Sequence, residues 1–320
     1  MLITLKETIK LIEEGKALHI AADESLLEKL PKGRWIGGTT PYFIDENGGC
    51  YTKEKLFVTE IDFAEEVKIG VYGRFNIFQT IEDSYENGLT MLIMPYGARV
   101  TALYAKVSPE VEDLILHPTI GWVAGFDLEN KTAPKVYDGT TGMSYTDKAV
   151  AMLTKLPEGK TAMINIVNIF EDDKTDPAIY FPENTLSPKR CVINGQDVNL
   201  AEYIKKKNID TQMPLVGDYN GMFINTSVKE VADATVNMYS PVFKGIGYRF
   251  ASPVKNYAEE FNRRIASTDA HKPVFSCNCI LNYIYGSLEG KKTPPYAGPV
   301  TFGEIAYQLM NQTLAYCEIV

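Results

Sequence analysis

Apolar positions recur at helical spacing at the start of the chain. Leu5, Ile9 and Ile12 follow Thr4-x-x-Glu7, a reciprocal cap pattern, and Gly15 can close the helix. The pattern then shortens. "ALHIAA" (17–22) reads as a buried strand, and "DESLLEKL" as a short helix with Asp23 or Ser25 near its start. "RWIGGTTPYF" (34–43) is expected to be a strand running into a tight turn, with a second turn at "NGG" (47–49). "KLFVTEI" and "VKIGVY" are strands by their β-branched and aromatic content.

Helical spacing returns in "RFNIFQTIEDSYENG", which places Phe75, Phe78, Ile81 and Tyr85 on one face, with Gly88 as a stop. "LTMLIM" follows as a buried strand ending at Pro95. Ser108-Pro109 suits the start of a helix that ends near His117-Pro118. "TIGWVAGF" (119–126) and "TAMINIVNIF" are further strands. Between 172 and 189 Asp, Pro, Glu, Asn, Ser and Lys dominate, which marks a link between lobes. Beyond it lie a helix, "NLAEYIKKK", and strands "MFINTSV", "TVNMYSPVF" and "GYRFA". Ser252-Pro253 opens the helix "VKNYAEEFNRRI". The last sixth (271–320) runs from an apolar strand into "SCNC", a helix, a Gly/Pro loop, "TFGEIA" and a closing strand, "LAYCEIV". Helices and strands alternate throughout. The expectation is therefore an α+β fold of two lobes, 1–185 and 186–320, with mixed β-sheets covered by helices.

Composition narrows the function classes. The chain has 320 residues, 45% hydrophobic and 23% charged, as expected of a globular protein. Its net charge is −9, and its longest basic cluster, Lys205-Lys206-Lys207, ends a helix where cations complement the macrodipole. Nucleic acid is excluded as a partner, because phosphate contacts need concentrated Lys and Arg. The N-terminus lacks a basic segment followed by an apolar one, so no signal peptide is expected. No run approaches about 18 uninterrupted apolar residues, so no membrane partner is expected. Five scattered Cys (50, 191, 277, 279, 317) point to free thiols in a reducing cytoplasm.

The candidate chemistry is concentrated at strand ends. "GGTT" (Gly37, Gly38, Thr39, Thr40) can form a backbone cradle with two hydroxyls, or simply a tight strand-to-loop turn; it lacks the dinucleotide fingerprint. Trp35 and Trp122 each lie beside glycine, where a Trp can floor a pocket or fill a core. In "SCNC", Cys277 is a candidate nucleophile if a helix begins at Asn278, since a helix N-terminus lowers a thiol pKa. The alternative is buried thiols packed at a strand–helix junction. A metal is disfavoured, because C-x-C lacks the paired spacing of zinc sites. His19, His117 and His271 are too dispersed for a spacing argument and read as structural. Glu304 follows Gly303 in an apolar segment, so its carboxylate is either a helix N-terminal charge or a ligand contact. Asn311, Gln312 and Thr313 read as a turn into the last strand.

In order, "WIGGTTPYF", "PTIGWVAGFDL", "VINGQDVNLAEYI" and "VFSCNCI" with "GPVTFGEIA" and "NQT" resemble the FIST family of sensory domains. The resemblance spans about residues 20–320. It implies a stand-alone sensory protein that binds a small molecule, such as an amino acid, and has a signalling protein as partner. Haem, also implied for some members, needs an axial ligand, and His117 is the one candidate. An Arg soon after "FSC" and a Gly-Glu after the Thr pair are missing here, so the resemblance does not fix the ligand chemistry. The expected pocket lies between the lobes. Trp35, Gly37, Gly38, Thr39, Thr40 and Trp122 are expected to form one wall, with Cys277, Asn278, Asn282 and Glu304 forming the other. The alternatives are a thiol-dependent hydrolase or transferase using Cys277, and an interaction scaffold.

Overall fold

A computed structural model describes residues 1–219, 221–266 and 273–320; His271 lies outside the described residues. The fold is α+β, with mixed sheets. Each of three six-stranded sheets contains one parallel pair of neighbouring strands joined by a crossover through a helix. In the first sheet the pair is Leu18–Ala22 and Trp35–Thr39, with helix Glu24–Leu27 between them. In the second it is Gly88–Pro95 and Thr119–Ala124, joined through helix Arg99–Val107. In the third it is Phe275–Cys279 and Gly298–Thr301, joined through helix Ile280–Tyr285. The remaining neighbours in these sheets are antiparallel.

Side-chain alternation sets the layers, because successive residues of a strand face opposite sides. Met91, Ile93, Ile36, Phe57, Phe275 and Cys317 share one core onto which all three sheets turn a face. Leu18, Ile20 and Trp35 point the other way and pack with Leu26 and Leu27 of the short helix. Leu92 and Met94 pack outward with Val100, Tyr104, Phe261 and Ile280. A fourth sheet, carrying Ile179–Tyr180, Leu215–Tyr219 and Gly247–Phe250, holds a separate core with helix Leu200–Lys207.

Several expectations hold to the residue. Thr4 and Glu7 form the reciprocal cap on helix Leu5–Glu13. Asp23 caps Glu24–Leu27, and Asn199 caps Leu200–Lys207, whose three Lys fill the last turn. Others need correction. The helix expected through Phe75 and Tyr85 is only Gln79–Asp83, and Phe75 is 88% exposed. Ser108-Pro109 does not open an α-helix; Ser108 caps the end of Arg99–Val107, and two 3-10 turns follow. Helix Tyr257–Ala266 begins well after Ser252-Pro253. The segment 172–189 contributes strand Ile179–Tyr180 and buries Ile179 and Phe181. Strand pairing joins segments on either side of the 185/186 position: Ala162–Val167 pairs with Leu314–Ile319, and Thr119–Ala124 pairs with Glu304–Ala306.

Candidate functional site

In parallel strand pairs, ligands bind outside the carboxyl ends, where the chain leaves the sheet and backbone groups are free. Here three such ends meet. Thr39 Oγ1 donates to Gly125 O at 2.7 Å, and Gly125 N donates to Thr39 O at 2.8 Å. Thr40 Oγ1 donates to Val300 O at 2.7 Å. Phe302 N donates to Val123 O, and Val123 N to Gly303 O. A Cβ on Gly125 would fall 1.9 Å from the Phe302 ring, so the close approach of the second and third units requires glycine there.

Two clefts open at this junction. The first, of about 270 Å³, lies between the first and second units and is lined by Asp23, Glu24, Thr39, Thr40, Lys53, Gly125, Phe126 and Asp127. Its charged groups are partnered. Asp127 receives Lys53 Nζ at 2.6 Å and Tyr51 OH at 3.0 Å, and Lys53 beside it holds its carboxyl below the usual range. Glu24 and Glu28 share Lys135.

The second cleft, of about 300 Å³, lies between the second and third units. Tyr96, Phe126, Tyr239, Phe302, Ile280, Leu281 and Ile284 line it, with Cys279, Asn311, Lys131 and Lys229. The rings pack on one another: Phe126 and Phe302 are 4.7 Å apart by centroid, and Tyr96 and Phe302 are 5.6 Å apart. A side chamber of about 170 Å³ continues past Tyr96 and Tyr239 toward Ala102 and Leu186. Asn311 is 2% exposed, and its Oδ1 has no hydrogen-bond partner. Leaving such an acceptor unmet costs about 1–3 kcal/mol. Among the described residues neither Lys131 nor Lys229 forms an ion pair; Lys229 Nζ lies 5.4 Å above the Tyr96 ring.

Behind this cleft is a polar hub. Thr313 N and Oγ1 donate to Glu304 Oε2 at 3.3 and 3.0 Å, and Thr301 Oγ1 donates to Oε1 at 3.1 Å. Cys279 N and Asn282 Nδ2 both donate to Thr313 O. Glu304 is fully buried. Burial pushes its carboxyl up to about 8, against the pull of the Thr313 and Thr301 hydrogen bonds. It is therefore chiefly protonated at neutral pH. A protonated Oε1 can donate to Thr301 Oγ1, which is then free to donate to Asn278 O, 3.3 Å away.

The structure brings some of the expected site residues together and separates others. Gly38 packs against Trp122, and Trp122 pairs directly with Glu304 on the neighbouring strand. Trp122 Nε1 donates to His19 Nε2 at 3.0 Å; burial lowers the pKa of His19 to about 3, so it stays neutral as the acceptor. Trp35 is on the other face of the first sheet with Gly37, donating to Pro31 O. Thr39 and Thr40 line the polar cleft. Asn278 and Asn282 are joined at 2.9 Å, leaving Asn278 Nδ2 and Asn282 Oδ1 buried and unmet. Cys277 is not at a helix start: the strand runs on to Cys279, and Ala315 opposes Cys277 across the sheet. Its thiol is buried and donates to Gly121 O; burial, then the nearby Glu304, raises its pKa well above the usual value. Glu304 lies in strand Glu304–Ala306, so it is not a helix N-terminal charge, and it lines neither cleft. His117 Nδ1 is held 2.7 Å from Ser84 Oγ, and His117 lines neither cleft.

A family model, described as a family of unknown function, matches residues 3–320. The chain belongs to that family, DUF6976. No curated protein matches it. Among the cleft residues of this DUF6976 chain that sequence reasoning missed are Tyr96, Phe126, Tyr239, Phe302, Asn311, Lys131 and Lys229. A signal was present for three of them: Tyr96, Phe126 and Phe302 each follow a strand of a parallel pair within two residues. Among the described residues no helix is long and apolar enough to cross a membrane, and no group of three or more His, Cys, Asp and Glu could hold a metal.

Proposed function

We propose that the protein binds a small organic anion with an apolar or aromatic body in the cleft between Tyr96, Phe126, Phe302 and Asn311, and that it acts as a sensory protein. The observation that carries this reading is Asn311: a buried, unmet acceptor on an otherwise apolar, ring-lined wall. A ligand donor satisfies it, the rings supply contact area, and Lys131 and Lys229 supply the counter-charge. The FIST resemblance supports the sensory part through its motifs alone. Free thiols at all five Cys fit the cytoplasmic placement. Cys279, not Cys277, lines the cleft, but burial and then the nearby Glu304 raise its thiol well above the usual range, which disfavours a thiolate there.

Titration with 1-anilinonaphthalene-8-sulfonate, an anionic fused-ring fluorophore, tests the reading. Saturable binding at one site is expected, weakened about tenfold in Lys229→Glu. Identical titrations in wild type, Lys229→Glu and Asn311→Leu would overturn it.

A further inference from the structure

A second surface stands apart from the ligand cleft. Along helix Arg99–Val107, Arg99, Ala102, Leu103 and Lys106 fall at i, i+3, i+4 and i+7, which is one helical face. That face forms one wall of an open groove of about 610 Å³. Arg74 and Phe75 close one side of it, and residues 184–186 with Pro241 form the other.

Three features of this groove are unusual for the molecule. The chain carries a net charge of −9, yet Arg74, Arg99 and Lys106 gather here and no carboxylate lines the groove. Among the described residues none of the three makes an ion pair; the neighbouring Glu110 is engaged by Asn184 Nδ2 at 2.8 Å. Phe75 is 88% exposed, and the Arg74 guanidinium lies 4.3 Å from its ring centroid, an arrangement that holds the ring out beside the groove. Exposed aromatic and Arg side chains beside an apolar floor are what interface hot spots are made of.

We propose that this groove docks an acidic polypeptide segment in which an apolar or aromatic residue is flanked by carboxylates. The apolar residue packs on Phe75, Ala102 and Leu103. The carboxylates reach Arg74, Arg99 and Lys106, the last two about 10.5 Å apart along the helix. Concavity favours a polypeptide over a bilayer surface, which would meet only the rim. Three cations on an acidic chain are too few for nucleic acid.

The probe is a fluorescein-labelled peptide with a central phenylalanine between aspartates and glutamates, read by fluorescence polarisation against the whole chain. Saturable binding at low salt is expected. Arg99→Glu with Lys106→Glu should weaken it at least about tenfold, and Phe75→Ala should weaken it separately. All three side chains are exposed, so circular dichroism and Tm should not change; a variant that loses its Tm is replaced by Arg99→Gln with Lys106→Gln. Equal binding by wild type and the charge-reversed protein would overturn the proposal. So would binding to phosphatidylserine vesicles with none to the peptide.

Discussion

Two clefts flank Phe126, and both are made where parallel strands end, yet only one is left chemically open. In the polar cleft every acid has a cation or a backbone donor, and Thr39 and Thr40 are tied to the carbonyls of Gly125 and Val300. Its polar groups hold the first unit to the second and third. In the apolar cleft the rings satisfy one another, but Asn311 Oδ1 is unmet and, among the described residues, two lysines lack acids. Polarity alone is therefore a poor guide to a site. What distinguishes a binding surface is polar capacity left unspent where water is scarce.

The largest expected effect falls on the wall the two clefts share. Gly125→Ala drives a methyl into the Phe302 ring, and the cost should approach 3 kcal/mol, seen as a large drop in Tm. A Tm within a degree of wild type would show that the junction is slack and that the clefts are not rigidly related.

Next is the hub behind the apolar cleft. Glu304 sits near 4.5 when unfolded and at about 8 when folded, so the folded chain holds the extra proton between those values. Its contribution is full below about pH 4.5 and is lost as pH rises toward 8, with a slope of at most about 1.4 kcal/mol per unit. Glu304→Gln keeps the shape and removes the titration. Denaturant unfolding of wild type from pH 5.5 to 8.5 should show this decline, and the variant should lack that part of it. Parallel pH profiles would mean that Glu304 is charged when folded.

The smallest effects bear most directly on the comparison. Thr40→Val leaves the Val300 carbonyl unmet and should cost about 1–3 kcal/mol. Asn311→Leu removes an acceptor that is already unmet, so Tm should hold or rise while fluorophore binding weakens. If Asn311→Leu destabilises as much as Thr40→Val, the two clefts are alike and the contrast between them fails.

Much of the framework was legible in the sequence because alternation, caps and turn residues are local signals. The cap at Thr4 and Glu7 is one; the buried strand ending at Pro95 is another. The helix through Phe75 was misread because aromatic spacing mimics an amphipathic face, whereas the ring here stays outside. The site was half legible. Strand parity already separates Trp35 from Gly38, since neighbours two apart share a face and these are three apart. Cys277 and Cys279 share a parity, but only the second reaches the strand end, and the boundary between strand and helix is not encoded in residue type. Asn311 looks like any turn residue until the strands around it are in register.

Asn311, Gln312 and Thr313 are consecutive. The first faces the cleft. The second receives Ser227 Oγ at 2.6 Å and gives its amide to Gln212 O, both on the side of the fourth sheet. The third holds Glu304. Adjacent Cα atoms are about 3.8 Å apart, so these attachments cannot be adjusted independently. The tripeptide works as a hinge pin with three leaves. A one-residue insertion there would misalign all of them at once, so length at this point constrains the molecule more tightly than side-chain identity.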